Sequence, residues 1–380
     1  MSVWEDLQGQ APVVTALRRA AAEPAPTHAW LFTGPPGSGR SNAARAFAAA
    51  LQCERPDPAE RGCGQCHACH TVLAGTHADV TRVATDKVTI SIAEVRSLIS
   101  RAQDKPSTGR WRIVIIEDAD RMVERTTNVL LKAIEEPPPR TLWMLCAPSP
   151  ADVIVTIRSR CRPVGLRIPP VEDVAALLVR RDGVEEGTAR TVARMAQSHI
   201  GVARRLARDP EARARRDEIV TMPLRLSDVS GAVRAAGTLV DLAQADAEAA
   251  TASRNATEKA ELLTALGLTE EDKVPPAVRS QLKHLADEQK RRATRSQRDA
   301  LDRAMTDLST FYRDVLVLQL GADSDLVNGH LDATLRDFAA ASSPETTLRR
   351  IDAIAAARER LTANVAPLLA LEAMTVSLIS

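Results

Sequence analysis

The stretch Ile113–Ile116 consists of apolar, β-branched residues and runs directly into the acids Glu117, Asp118 and Asp120. Such a run is typical of a strand buried on both faces, as in a parallel sheet with helices on each side. Acids at the carboxyl end of such a strand lie at the edge where open α/β sheets bind their ligands. The alternative interpretation is a core strand followed by an ordinary polar turn.

Apolar runs and helical patterns alternate along the first part of the chain. They predict strands at 29–33, 80–83 and 142–147, besides 113–116, and helices at 42–51, 92–102 and 129–136. Strands that alternate with helices are the pattern of an α/β domain, which we place at residues 1–168.

Beyond Pro170 the pattern contains helices alone. Short helices broken by glycines predict a small helical domain at 169–222, and Pro223 marks the expected start of an all-helical domain at 223–380. One helix face in this last domain carries a regular series of apolar residues: Leu301, Met305, Leu308, Tyr312 and Val315.

Composition narrows the class of protein. Hydrophobic residues make up 44% of the 380 residues and aromatic residues only 2%, so the cores are expected to consist of Ala, Leu, Val and Ile. The net charge of +1 gives no general argument for a nucleic-acid partner. No apolar run approaches the roughly 20 residues of a membrane span. We therefore expect a cytoplasmic protein without a membrane partner, whose six cysteines are thiols or metal ligands rather than disulfides.

A glycine-rich loop, Gly34–Ser41, lies between the first predicted strand and the helix that follows it. In this context glycines let backbone amides curl around phosphate oxygens, and the helix N-terminus adds a partial positive charge. The predicted phosphate-binding residues are Gly34, Gly37, Ser38, Gly39, Arg40 and Ser41, with the Ser41 hydroxyl as a Mg²⁺ ligand. The alternative is a Gly/Pro turn that caps a helix.

The loop fits the pattern G-x-x-x-x-G-K-[ST] except that Arg40 stands in place of lysine. Lysine reaches phosphates as a compact point charge, whereas arginine is a planar fork. Only seven of the 50 basic residues are lysines, so composition alone can place an arginine where lysine is not needed. The sequence leaves undecided whether ATP and Mg²⁺ bind in this loop, and we expect any hydrolysis of ATP to be weak.

Four cysteines follow the loop helix: Cys53, Cys63, Cys66 and Cys69. Thiolates at this spacing suit a closed tetrahedral zinc site, which is structural rather than catalytic. We therefore predict a zinc module at about 53–70. His67 and His70 are alternative ligands, and unligated core cysteines are the remaining interpretation.

Several motifs occur in a fixed order, and together they resemble a known family. The phosphate loop precedes the cysteine insert, the acidic strand end, Leu130-Leu131-Lys132 with Glu135-Glu136-Pro137-Pro138, and finally Arg158-Ser159-Arg160-Cys161. This order of motifs resembles that of the bacterial clamp-loader branch of the AAA+ ATPases. The resemblance is close over the first ~220 residues.

The resemblance implies an architecture and a set of partners. The fold would be an α/β RecA-like (AAA+) P-loop domain with a Cys₄ zinc insert, then a helical lid and an all-α collar. The partners would be the gamma/tau and delta subunits of a hetero-pentamer at the bacterial replisome. Using ATP, that ring opens the sliding clamp and places it on primed DNA during replication.

The resemblance also implies roles for individual residues. Arg160, in Ser159-Arg160-Cys161, would be a trans arginine finger for ATP bound to a neighbouring subunit. Arg204 lies where the family's second sensor arginine would fall. Glu117-Asp118 reverses the order of the family's Asp-Glu pair. The side chain in the metal-binding position is then one methylene longer, and the one in the water-polarising position is one methylene shorter.

Three hypotheses follow. The first is a stator subunit that presents Arg160 to a motor neighbour, and the second is an active ATPase motor of the same branch. The third is a zinc-bearing nucleic-acid-binding protein that uses nucleotide only as a ligand. Separately, the basic residues of 283–303 are a candidate surface for a phosphate backbone. Interspersed acids and few aromatics favour a solvated helix face there instead.

Overall fold

The computed structural model describes residues 2–85, 89–266, 268, 275, 279–363 and 365–379. The chain divides into two compact units, Met1–Ala207 and Arg208–Ser380. The predicted boundaries at 168 and 222 differ from this division and stay predictions.

The first unit is built on a five-stranded sheet in its described part, with strand order β2-β3-β4-β1-β5 and every neighbouring pair parallel. The strands are β1 (Ala29–Thr33), β2 (Val80–Val83), β3 (Arg112–Ile116), β4 (Thr141–Ala147) and β5 (Arg162–Gly165). The predicted α/β class is confirmed, and four of these strands lie where the hydrophobic pattern predicts them.

In the described part of the unit, six helices pack on the two faces of this sheet, and three more follow them in the chain. In chain order they are α1 (Ala11–Ala22), α2 (Arg40–Gln52), α3 (His67–Ala74), α4 (Ile92–Gln103), α5 (Glu124–Glu135), α6 (Val155–Arg158), α7 (Val171–Asp182), α8 (Glu186–Met195) and α9 (Ile200–Arg208). Alternate residues of β3 enter different cores: Ile113 and Ile115 pack on one face, and Val114 and Ile116 pack on the other. This alternation explains why the strand is apolar throughout.

Two elements differ from the sequence reading. The sequence analysis predicted neither the short helix α6, which starts within the apolar run Ile154–Ile157, nor strand β5. Strand β5 contains Pro163, which lacks a backbone N–H. Because β5 is the edge strand beside β1, the missing donor can be tolerated there.

An N-terminal segment, residues 2–10, connects three parts of the first unit. The backbone N–H of Val3 donates to Gly62 O at 3.0 Å, beside the cysteines. The Gln10 side chain donates to Arg167 O at 2.6 Å and, at 3.5 Å, to Ser38 O in the glycine-rich loop. The Arg180 side chain in α7 donates to Glu5 O at 2.9 Å.

The second unit is helical over its described residues. It contains α10 (Pro210–Val220), α11 (Val229–Ala265), α12 (Arg279–Leu320), α13 (Asp332–Ala340), α14 (Pro344–Thr362) and α15 (Pro367–Ser377). The predicted apolar face from Leu301 to Val315 is confirmed, because all five of its residues are buried in one cluster. Within the described ranges, no helix is both long enough and apolar enough to cross a membrane.

Candidate nucleotide and metal sites

The glycine-rich loop joins the end of β1 to the start of α2, as the sequence predicts. Gly37 has a φ of +87°, in the left-handed region that favours glycine. At Gly34 the restriction is steric, because a Cβ there would lie 2.6 Å from Ser38 Oγ and 2.7 Å from Leu166 O. The loop is therefore closely packed as well as tightly turned.

Arg40 turns back onto its own loop. Its guanidinium donates a hydrogen bond to the backbone carbonyl of Gly34. In this conformation the cation neutralises a protein dipole, whereas a lysine in this position would extend toward a bound phosphate. Sequence reasoning identified the unusual residue but could not predict this contact.

Ser38 tests whether the loop fits a phosphate group. Its side chain is 2% exposed, and its Oγ has no hydrogen-bond partner among the described residues. Buried polar atoms are nearly always hydrogen-bonded, so an orphaned hydroxyl in a glycine-rich loop is consistent with a ligand oxygen that satisfies it. Together with the helix N-terminus at Arg40, the loop fits a phosphate, with Ser41 in the first turn of α2.

The acids after β3 lie beside this loop. Glu117 Oε1 is 3.6 Å from Arg82 Nε, and Asp118 Oδ2 accepts a hydrogen bond from the Thr85 N–H at 3.1 Å. Burial raises the pKa of the Cys146 thiol at the end of β4; Glu117 raises it further and Arg40 lowers it. Loop and acids thus meet at the carboxyl edge of the sheet, as predicted.

The predicted sensor residue Arg204 has an internal partner. Its Nε lies 2.9 Å and 3.1 Å from the two carboxylate oxygens of Asp182, which is 1% exposed on its side chain. Another residue of this helical region lies on the loop instead: a Cβ built on Gly37 would be 2.6 Å from His199 Cγ. The imidazole Nδ1 of His199 also accepts from the Val202 N–H at the start of α9.

Sequence reasoning missed His199. The residues before it, Gln197 and Ser198, have φ values of +48° and +62°, which non-glycine residues adopt infrequently. Three polar residues directly before a helix that contains Gly201 were the available signal, but polarity alone does not distinguish a strained turn from a loop.

Arg160 lies after α6 and points to an acid at the end of α5. Its Nη2 is 2.6 Å from Glu135 Oε1, and its Nη1 donates to Thr156 O at 2.8 Å and to Ser159 Oγ at 3.3 Å. The Arg160 side chain remains 40% exposed. Arg162, two residues on, stacks over Trp30 at 4.8 Å from the ring centre and is 3.9 Å from Glu23 Oε1.

The cysteines predicted to bind metal come together. The sulfur atoms of Cys53, Cys63, Cys66 and Cys69 all lie within 4.8 Å of one another. Cys53 Sγ is 3.6 Å from Cys63 Sγ and 3.9 Å from Cys66 Sγ. Zinc–sulfur bonds of about 2.3 Å in a tetrahedron place sulfur atoms about 3.8 Å apart, so this cluster fits zinc.

Local electrostatics at the cluster favour thiolate formation at one end. Burial opposes ionisation of Cys63, but amide donors from Gln65 and Cys66 and neighbouring thiols outweigh it and lower its pKa to about 6. Burial raises the pKa of Cys69. The alternative ligands His67 and His70 are both exposed. Neither belongs to the group of side chains in the described residues that could together hold a metal ion.

Basic residues of 283–303 pair with acids, both within α12 and on the neighbouring helix α11. Arg292 Nη1 lies 2.8 Å from Glu258 Oε2 and donates to Asn255 Oδ1 at 2.8 Å. Arg295 Nε is 3.6 Å from Asp299 Oδ2, and Arg303 Nη2 is 3.9 Å from Asp246 Oδ2. The segment is thus a helix surface of mixed charge, but not a fully solvated one, because the Arg292 side chain is only 11% exposed.

Comparison with known proteins connects these sites to a family. Residues 9–170 match the family model described as "DNA polymerase III, delta subunit". Over 136 residues the chain is 36% identical to DNA polymerase III subunit delta' of Pseudomonas aeruginosa, covering 35% of this chain and 41% of the relative. Over 159 residues it is 31% identical to subunit tau of Bacillus subtilis, covering 42% and 28%.

Each of these curated relatives is matched over less than half of its own length. Subunit tau of Escherichia coli, 32% identical over 171 residues, covers 45% of this chain and 26% of that protein. A gamma-subunit-related protein of Thermotoga maritima is similar in structure with a TM-score of 0.42 and 15% identity, covering 96% of this chain and 98% of that one. Over less than half of its length, the chain is therefore similar to DNA polymerase III subunits of the delta' and tau kinds.

Proposed function

We propose that the protein is the delta-prime subunit of a DNA polymerase III clamp loader and acts as its stator. In this role it joins gamma/tau and delta subunits, and it contributes Arg160 to ATP on a neighbour while hydrolysing little or none itself. The assembled loader would open the sliding clamp and place it on primed DNA. The 36% identity to a delta' relative over 136 residues supports this choice.

The observation that carries the proposal is the position of Arg40. A residue expected to face phosphate instead donates to the Gly34 carbonyl, and Asp118 accepts a hydrogen bond from the Thr85 N–H. Glu117 Oε1 lies 3.6 Å from Arg82 Nε and makes no hydrogen bond among the described residues. Catalysis of phosphoryl transfer depends on the positions of the catalytic side chains and on charge stabilisation. Side chains displaced from those positions therefore lower the rate of ATP hydrolysis. The loop can still hold a phosphate, as the Ser38 hydroxyl indicates, without turning it over.

Bound at this site, Mg²⁺–ATP would supply the phosphoryl group and its charge. Gly34, Gly37, Ser38 and Gly39 would contact the phosphates, while Arg40 stays on the Gly34 carbonyl. The Ser41 hydroxyl would ligate the metal, and Glu117 and Asp118 would face the metal and water. Arg204 would approach only by leaving Asp182. The four cysteines would hold a structural zinc ion, which fixes the insert and takes no part in catalysis.

The test is reconstitution. The purified chain is mixed with gamma/tau and delta subunits, and the assembly is followed by size-exclusion chromatography and by clamp loading on primed DNA. We expect one stable complex that loads clamps, and no ATP turnover above background from the chain alone. Failure of the chain to enter any such complex would contradict the proposal.

The second candidate is an active gamma/tau-like motor, which the tau relatives and the complete loop spacing favour. It predicts ATP hydrolysis by the isolated chain at about 1 s⁻¹ or faster, the low end of ordinary enzymes. Steady-state phosphate release from the unmodified chain separates the two candidates.

A further inference from the structure

The contact between Glu135 and Arg160 is the strongest feature that the proposed function leaves unused. Among the arginines at 158, 160 and 162, only Arg160 makes a charge-assisted contact as short as 2.6 Å to a carboxylate. Arg158 donates to Pro150 O at 3.3 Å, and Arg162 stacks on Trp30. Charge-assisted hydrogen bonds are stronger and more directional than neutral ones.

Glu135 occupies a position that helix energetics alone do not favour. It is the last residue of α5, where the partial negative charge of the helix end repels a carboxylate. The preceding residue, Ile134, is fully buried and fixes this turn against the core. The acid at this unfavourable helix end is paired with Arg160, which offsets the repulsion.

The three contacts hold the guanidinium while leaving part of it available. Glu135 engages Nη2, and Thr156 and Ser159 engage Nη1. The Nε–H makes no hydrogen bond to any residue that the structure describes, and the side chain is 40% exposed. A fork held on one side and open on the other is ordered before a phosphate arrives, which reduces the cost of ordering it during the reaction.

We infer that Glu135 is a positioning residue for Arg160: it orients the guanidinium toward a nucleoside triphosphate carried by a neighbouring subunit. The inference rests on the proposed trans role of Arg160. Glu135 itself contacts no substrate and acts only through the arginine. The opposite role, a latch that withholds Arg160 from the phosphate, predicts the opposite sign and is an outcome of the same experiment.

The experiment measures DNA-stimulated ATP hydrolysis by the reconstituted loader with Glu135→Ala, Glu135→Gln, Arg160→Ala and the double variant. Glu135→Ala should lower kcat by about half or more of the loss caused by Arg160→Ala, with KM for ATP unchanged, because the arginine acts mainly in the transition state. Glu135→Gln keeps an acceptor oxygen and should restore part of that loss. The double variant should match Arg160→Ala, because the acid has no other route to the site.

The matched control is Glu136→Ala, which removes the adjacent exposed acid and should leave kcat unchanged. Thermal unfolding of each isolated variant and its assembly into the loader should match the unmodified chain. If Arg160→Ala has no effect on turnover, the trans-arginine role fails. If Arg160→Ala lowers turnover but Glu135→Ala leaves it unchanged, raises it, or merely matches Glu136→Ala, only the positioning inference is overturned.

Discussion

The glycine-rich loop and the Arg160 segment belong to the same α/β unit, yet their arginines are used in opposite ways. Arg40 is turned inward onto the Gly34 carbonyl, and its neighbouring acids are engaged by Arg82, Thr85 and Arg121. Arg160 is held by Glu135 at the surface with part of its guanidinium exposed. The same fold can therefore hold one arginine in an internal hydrogen bond and leave another partly exposed at the surface.

The largest expected effect concerns Arg160. Arg160→Lys should lower turnover at the one site it serves nearly as much as Arg160→Ala, because a point charge cannot replace the planar fork. Arginine fingers contribute roughly 10³–10⁵ in rate where they are best measured. DNA-stimulated ATPase of the assembled loader is the measurement, and full activity of the lysine variant would remove the contrast with Arg40.

The control for that experiment is Arg158→Ala. A sequence-based choice would be Arg162→Ala, which lies at the same spacing on the other side. However, Arg162 stacks over Trp30 and pairs with Glu23, so its removal also disturbs β5. Arg158 makes one exposed hydrogen bond to Pro150 O, and its loss should leave turnover and assembly unchanged.

The next effect concerns zinc. We expect about one equivalent of zinc in the chain purified under reducing conditions, and Cys66→Ser should lose it. Since Val3 and Trp4 bond to Gly62 and Arg61 beside the cluster, metal loss should raise hydrogen exchange in the N-terminal segment as well as in residues 53–70. Metal analysis below about half an equivalent would count against a four-cysteine site.

A smaller effect is expected from Gly37→Ala. The new methyl group would lie within 3 Å of His199, and the backbone there has a left-handed φ of +87°. We expect a loss of about 1–3 kcal/mol in the free energy of unfolding, measured by urea denaturation. Gly75→Ala has a similar φ of +80° but open space around it, so it reports the backbone cost alone.

The smallest effect is expected in the nucleotide site. Combining Arg40→Lys, Glu117→Asp and Asp118→Glu should give the isolated chain little turnover, because a neighbour's arginine would still be absent. The unmodified chain should show none above background. Steady-state phosphate release decides the matter, and turnover near 1 s⁻¹ without any substitution would mean that Arg40 does not impair the site.

The sequence predicted much of this molecule, for physical reasons that particular residues make clear. Ile113–Ile116 is buried on both faces, and a doubly buried strand is recognisable as a continuous apolar run. The cysteine spacing predicted a cluster because ligand geometry limits the separations that fit. In both cases the signal is local in the sequence.

What the sequence could not predict depends on distant partners. Strand β5 is four residues long with a proline in it, so only pairing with β1 defines it. The contact of Arg40 with Gly34, of Arg204 with Asp182 and of His199 with Gly37 depends on side-chain directions fixed by tertiary packing. A motif therefore predicts which residues gather at a site, but not which of them face its ligand.

The most direct test of the contrast compares two single variants in the same reconstituted loader. DNA-stimulated ATP hydrolysis is measured with Arg40→Ala and with Arg160→Ala, after size-exclusion chromatography has shown that both complexes assemble. We predict that Arg160→Ala lowers turnover by the share of one ATP site and that Arg40→Ala leaves it unchanged. The account would be contradicted by a loader that keeps its full rate with Arg160→Ala but loses turnover with Arg40→Ala. In that case the subunit would hydrolyse its own ATP, and its Arg160 would not act on the ATP of a neighbour.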